Sequence, residues 1–229
     1  MLLSKLKGIL RSKGYELYTK QNELNIVGIR SESTIPNAFD DEIHVFYKEA
    51  PLKWNYHVYK VTTDPGTFWL RNPMQPQGTA ILAQGQYKGA YEIGMHQGQY
   101  KALVQTKPVT VIRDYDRNAK LDFINGSKSK GMFGINIHRA SSNGITKQVD
   151  KYSAGCQVFA NVNEFNEFMN LCDRQKLIYG NSFTYTLIDF RAVKRQTLKR
   201  LAIGTVTAAF GLTALWAILK RKNKKKKQK

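Results

Sequence analysis

Residues 42–63 read "EIHVFYKEAPLKWNYHVYKVTT". In the opening "EIHVFYK" (42–48), Ile43, Val45 and Tyr47 face one way, and His44 and Phe46 face the other. The closing "YHVYKVTT" (56–63) is again rich in aromatic and β-branched residues. Alternation with a period of two marks a strand, and Val, Tyr and Phe suit a pleated, half-buried surface. This stretch therefore predicts a β-rich protein.

The flanks extend the pattern. Upstream, "ELNIVGIRS" (23–31) reads as a strand, with Gly28 marking a bulge or close packing, and "STIPNAFDD" (33–41) reads as a polar loop. Downstream, "DPG" (64–66) is a turn, because Pro presets φ and Gly accepts positive φ. "TFWL" (67–70) is expected to be a further strand and "NPMQPQG" (72–78) a loop. Residues 79–105 are rich in Gly, Gln and Tyr without helical periodicity. "PVTVIRDY" (108–115), "GMFGINIHR" (131–139) and "SFTYTLIDF" (182–190) complete the expected strands. Two segments read as helices. "MLLSKLKGILRSKGY" at the start is short and amphipathic. Residues 161–177 place Phe165, Phe168, Met169 and Cys172 on one face at i, i+3, i+4 and i+7. The predicted fold is mainly β, sandwich- or barrel-like in the α+β sense, with a few peripheral helices, over residues 1–190.

The 229-residue chain carries a formal charge of +19, which first suggests nucleic acid. The charge is not evenly spread. Residues 191–229 hold 13 Lys and Arg and no acid, so the first 190 carry 23 basic against 17 acidic residues. The excess needs a local explanation. "LAIGTVTAAFGLTALWAIL" (201–219) supplies one: its 19 uncharged residues make a helix of about 28 Å, close to bilayer hydrocarbon thickness. A basic linker (191–200) precedes it and a basic tail (220–229) follows, both suited to anionic headgroups. The expectation is a single-pass membrane protein with a lipid bilayer as partner. Two small-xxx-small pairs, Gly204 with Ala208 and Thr207 with Gly211, would let two such helices associate as a homo-oligomer. The N-terminus has charges at Lys5, Lys7, Arg11 and Lys13 and so lacks the apolar run of a signal peptide, which leaves orientation open. Nucleic acid is not the expected partner.

Chemistry concentrates in "IHRASSNGITKQVDKYSAGCQVF" (137–159), where His138 closes one apolar run and Cys156 precedes another. A cysteine nucleophile needs its thiolate, hence a base beside it or a lowered pKa. A Gly just before it permits a tight turn that exposes sulfur and aims N–H groups at an oxyanion. The two cysteines, Cys156 and Cys172, are too few for a disulfide framework, and Cys172 reads as a core residue of the second helix.

His138, a spacer of fourteen residues, and Ser153-Ala154-Gly155-Cys156 resemble the signature of the L,D-transpeptidase (YkuD-like) catalytic domain. The resemblance implies a β-rich fold and a thioester formed between the cysteine and a peptidoglycan stem peptide, then passed to an amine or to water. It implies Cys156 as nucleophile, His138 as base, and Ser153 and Gly155 as the residues that shape the turn and oxyanion site. Ala154 stands where the family has a second histidine, and Val158 where it has Asn or Arg. Arg139 is a candidate to compensate. These departures favour hydrolysis or an unusual acyl transfer as much as transpeptidation. They also motivate a competing reading, a non-catalytic membrane-anchored binding or structural protein.

Around this pair, His96, Tyr91, Tyr100 and Gln105 are expected to line a polar substrate cleft, with Arg139. No cofactor and no metal are expected. His96, His138 and Cys156 lack the paired short spacing of a zinc site. "DYDRNAKLD" (114–122) offers Asp114, Asp116, Asn118 and Asp122 in the manner of a calcium loop. Ala119 stands where an EF-hand loop has Gly, however, and Asn125 where it has Glu, and Arg117 and Lys120 add positive charge. That stretch reads as a hairpin-like polar turn.

Overall fold

The computed structural model describes residues 1–191. In chain order its elements are α1 (Leu3–Ser12), β1 (Asn25–Arg30), β2 (Asp41–Ala50), β3 (Lys53–Thr62), α2 (Thr67–Arg71), β4 (Thr79–Leu82), β5 (Gly85–His96), β6 (Tyr100–Gln105), β7 (Val109–Asp114), β8 (Lys128–Gly131), β9 (Ile137–Arg139), β10 (Gln157–Phe159), α3 (Val162–Tyr179) and β11 (Phe183–Asp189). The fold is mainly β. Eight strands close into a barrel in the order β1-β11-β5-β6-β9-β10-β3-β2, and β4-β7-β8 form a separate three-stranded sheet. The basic linker beyond residue 191, the span 201–219 and the tail lie outside the described residues. Among the described residues, no helix is long and apolar enough to cross a membrane.

The alternating run that opened the sequence is an antiparallel hairpin, in register from Asp41↔Val61 to Ala50↔Lys53. Ile43, Val45 and Tyr47 enter the main core with Tyr59 and Val61. His44 and Phe46, on the other face, are buried too. The amphipathic α1 explains this: its Leu6 and Leu10 are buried, and Lys7 Nζ lies 3.2 Å from the Trp54 ring centroid beside Phe46. His44 is satisfied there, with Nδ1 2.6 Å from Tyr56 Oη and Nε2 2.8 Å from Glu42.

Helix α3 buries Phe165, Phe168, Met169 and Cys172, the stripe its spacing predicts. It starts at Asn161, whose side chain accepts the Asn163 N–H at 2.9 Å, and ends at Gly180 with φ 84°. Phe159 of β10 stacks on Phe168 at 5.0 Å, so the strand that follows Cys156 is anchored in the aromatic core.

Two expectations are corrected. "TFWL" is the helical turn α2, not a strand. After the Asp64-Pro65-Gly66 turn, one helical turn buries Leu70 and lets Trp69 Nε1 donate to Lys151 O at 2.9 Å. Four residues are too few for periodicity to separate the two forms. In the run 131–139, Gly131 ends β8 and only Ile137–Arg139 forms a further strand. Upstream, the Gln105 side-chain oxygen accepts the N–H groups of Phe133 and Ile135, at 3.1 and 3.0 Å, in place of a strand neighbour.

Candidate active site at the Cys156 turn

Strands β9 and β10 are parallel neighbours in the barrel, with Ile137↔Gln157, His138↔Val158 and Phe159↔Arg139 in register. Ile135, Ile137 and Phe159 point into the main core. Side chains alternate along a strand, so Asn136 and His138 share the opposite face with Val158 and Cys156. Cys156 and Val158 indeed pack together with Phe39, Val149 and Ala160 in a second cluster. The fourteen-residue spacer is thus the crossover that parallel strands require. It brings His138 onto β9 opposite Val158, with Cys156 two residues earlier, just before β10.

The turn before Cys156 is held from several sides. Ser153 Oγ donates to Cys156 O at 2.8 Å and accepts the Gly155 N–H at 3.2 Å. Ser153 O accepts the Gly66 N–H at 2.8 Å. Gly155 has φ +125°, and a Cβ there would lie 2.1 Å from Ala80 O, so both conformation and space exclude a side chain. From inside the barrel, Tyr185 donates to Gln157 Oε1 at 2.8 Å, and Gln157 Nε2 donates to Gly155 O at 3.2 Å. Ser153 and Gly155 therefore stand where a turn-shaping role needs them. Gln157 is a third support that the motif did not single out.

The sulfur is clamped by loop backbone. Cys156 Sγ donates to Gly134 O at 3.3 Å and receives the Asn136 N–H at 3.4 Å. Burial pushes its thiol up to about 11, with the Asn136 N–H opposing. Cys172 is a buried thiol in the main core, also raised by burial.

The tautomers of the two site histidines follow from their partners. His138 Nδ1 lies 2.8 Å from Arg139 O, which can only accept, so Nδ1 carries the proton and Nε2 is the basic nitrogen. Tyr100 Oη donates to the same carbonyl at 3.1 Å. Asn136 Oδ1 accepts the Gln105 N–H at 2.9 Å, which fixes the amide orientation. Its Nδ2 then donates to His96 Nδ1 at 3.0 Å. The imidazoles of His96 and His138 stack at 4.0 Å, tilted by 17°. Burial, then the neighbouring His96, pushes His138 down to about 3, and burial lowers His96. Both rings are neutral at pH 7, and the resting pair is thiol and imidazole.

The other expected substrate residues divide. His96 and Tyr100 belong to the His138 cluster. Tyr91 does not line a cleft: it is fully buried in the barrel core, edge-on to Tyr185 at 5.8 Å. Gln105 is buried as well and holds the 131–135 loop, donating to Lys107 O and Gly131 O at 2.9 and 3.0 Å. Arg139 stacks over Tyr100 at 4.3 Å and lines, with it, a cavity of about 250 Å³ that also includes Asp173. The cleft beside the cysteine turn is a different one. Its volume is about 240 Å³, and its walls include Ala154, Trp69, Arg113, Met132 and Phe133. Arg113 stacks on Phe133 at 4.8 Å, and burial lowers its pKa. Asn136 was legible in principle, two residues before His138 on one strand face. The cleft walls were not, because four separate segments supply them.

No protein-family model, no curated protein and no solved structure matches this chain.

Proposed function

We propose that the chain is a cysteine-nucleophile acyl-transfer enzyme acting on peptidoglycan stem peptides, held at a membrane by residues 201–219. The observation that carries this reading is the His138 tautomer beside a structurally enforced Gly-Cys turn. Nδ1–H is tied to Arg139 O, so Nε2 is the bare nitrogen of a histidine on β9, the strand beside β10, which Cys156 immediately precedes. The resemblance of His138 and Ser153-Ala154-Gly155-Cys156 to the L,D-transpeptidase signature supports the same assignment and supplies the substrate class.

In this mechanism Cys156 Sγ attacks a peptide carbonyl while His138 Nε2 takes the S–H proton. The N–H groups of Gly155 and Asn136 are engaged by Ser153 Oγ and the sulfur, which leaves the Cys156 N–H for the oxyanion. Collapse expels the amine, which receives the proton from His138, and a thioester remains. An amine gives transpeptidation and water gives hydrolysis, with free thiol restored. Because both groups rest neutral, charge develops only once a carbonyl is in place. The same neutral rest state favours a second reading, a non-catalytic binding or structural protein.

The test is incubation of the full chain with stem tetrapeptides and pentapeptides, followed by intact-mass measurement. Covalent acylation at Cys156, absent in Cys156→Ser and at least about 100-fold slower in His138→Gln, is the expected result. Reversible peptide binding without acylation would replace the enzyme reading with the second one.

A further inference from the structure

The cleft beside the cysteine turn has a single charged side chain in its walls, Arg113, and no acidic one. Trp69, Met74, Met132 and Phe133 make the rest of the walls largely aromatic and thioether, with the Gln75 amide among them. No Asp or Glu forms an ion pair with Arg113 among the described residues. Asp114, next along β7, points to the other face of the sheet, where its Oδ2 accepts the Asp122 N–H at 2.9 Å. Arg113 Nη1 donates to Gly78 O at 3.2 Å, and the buried Nε has no hydrogen-bond partner among the described residues. A half-buried cation without a counter-ion is costly, because burial strips water from the charge. An anion in the cleft would offset that cost.

The guanidinium is also positioned before any ligand arrives. Phe133 supports its face at 4.8 Å, and Gly78 O holds one nitrogen. Strand register ties it to the cysteine turn. Arg113 pairs with Ala80 across β4 and β7, so the two side chains stand on one face of the smaller sheet. Ala80 O in turn packs so closely on Gly155 that a Cβ there would lie 2.1 Å away. Ala154 and Arg113 thus meet around Ala80 in one cleft of about 240 Å³.

We infer that this cleft is a carboxylate-binding subsite, with Arg113 as the receptor and the apolar walls taking the part of the ligand next to the carboxylate. A guanidinium can give a carboxylate two parallel N–H bonds, which fix orientation as well as charge. An ammonium in its place would supply the charge without the fork. That the carboxylate belongs to a peptide rests on the function proposed above. The subsite itself does not require Cys156 to be a nucleophile. Arg113 is a specificity-determining residue in this scheme. It touches the carboxylate and not the reacting carbonyl, so its loss raises KM more than it lowers kcat.

The test uses the full-length chain carrying Cys156→Ser, so that binding is read apart from acylation. A stem tetrapeptide, and the same peptide with every carboxyl group amidated, are titrated by calorimetry. The free acid should bind at least about tenfold more tightly, as charge-assisted hydrogen bonds require. This first comparison needs no change at Arg113. Adding Arg113→Gln should bring the two affinities within about twofold of each other, whereas Arg113→Lys should keep part of the preference. Thermal midpoints show whether these variants are folded. Lys53→Gln, which removes an equal charge from an exposed pair with Glu49, should keep the whole preference. Equal affinity for acid and amidated peptide, no saturable binding of either, or an unchanged preference in folded Arg113→Gln would overturn the subsite. Acylation of Cys156 in the unsubstituted chain without this preference would sink the subsite and leave the nucleophile standing. The preference without acylation would support the subsite and sink the nucleophile.

Discussion

A thiol raised to about 11 by burial alkylates slowly at pH 7, and its rate climbs through the alkaline range. Iodoacetamide labelling of Cys156 against pH should therefore show a midpoint well above that of a free thiol. His138→Gln should leave that midpoint in place, because a neutral imidazole does not stabilise a thiolate. The variant should nonetheless lose acylation, where the imidazole must take a proton. His138 also makes stability depend on pH. Its folded pKa, about 3, is depressed below the unfolded value of 6.5, so the unfolded chain binds the proton more readily. The stabilisation is complete above pH 6.5 and is lost as pH falls from there toward 3. Its size is of the order of 5 kcal/mol. Thermal midpoints at pH 7 and pH 4 should separate more widely in wild type than in His138→Gln.

At the scale of elements, the turn and the loop beside it set where the sulfur lies. Gly155→Ala should destabilise by at least about 2 kcal/mol and disorder the site, since a Cβ collides with Ala80 O at a positive φ. Gln105→Leu strips the acceptor from two loop N–H groups, at about 1–3 kcal/mol each in a buried setting. The loosened clamp should also speed Cys156 labelling, and denaturation midpoints with labelling rates check both effects. Asn161→Ala, by contrast, should remove only about 1 kcal/mol of helix capping and leave labelling unchanged. Long elements were legible in the sequence because period and length agree there: β1, the strands β2 and β3 though not their pairing, β11 and the Phe165–Cys172 face of α3. The one-turn α2 and the break before β9 were not, since side chains from distant segments decide them, Trp69 on Lys151 and Gln105 on Phe133. The spacing of His138 and Cys156 is consistent with the parallel neighbours β9 and β10 that the chain forms there. The cleft walls could not, because Ala154, Arg113 and Phe133 meet only after the barrel and the smaller sheet have formed.

Across the whole molecule, one buried ion network joins strands that are remote in sequence. Arg30 reaches Asp64 at 2.8 Å, Thr63 O at 2.8 Å and Leu82 O at 2.9 Å, which ties β1 of the barrel to β4 of the smaller sheet. Arg30→Ala leaves a buried carboxylate without its cation and should cost about 3–5 kcal/mol by denaturant unfolding. The sequence-level division of charge leads to a different expectation. The full chain should float with vesicles, and one ending at residue 191 should not. The central claim, that Cys156 is a nucleophile served by His138, rests most directly on the acyl-enzyme. Intact-mass measurement after mixing with a stem tetrapeptide should show the chain heavier by the acyl fragment, with the label mapped to Cys156 and absent in Cys156→Ser. An unchanged mass across neutral and alkaline pH, in a chain that is folded and still binds the peptide, would contradict it.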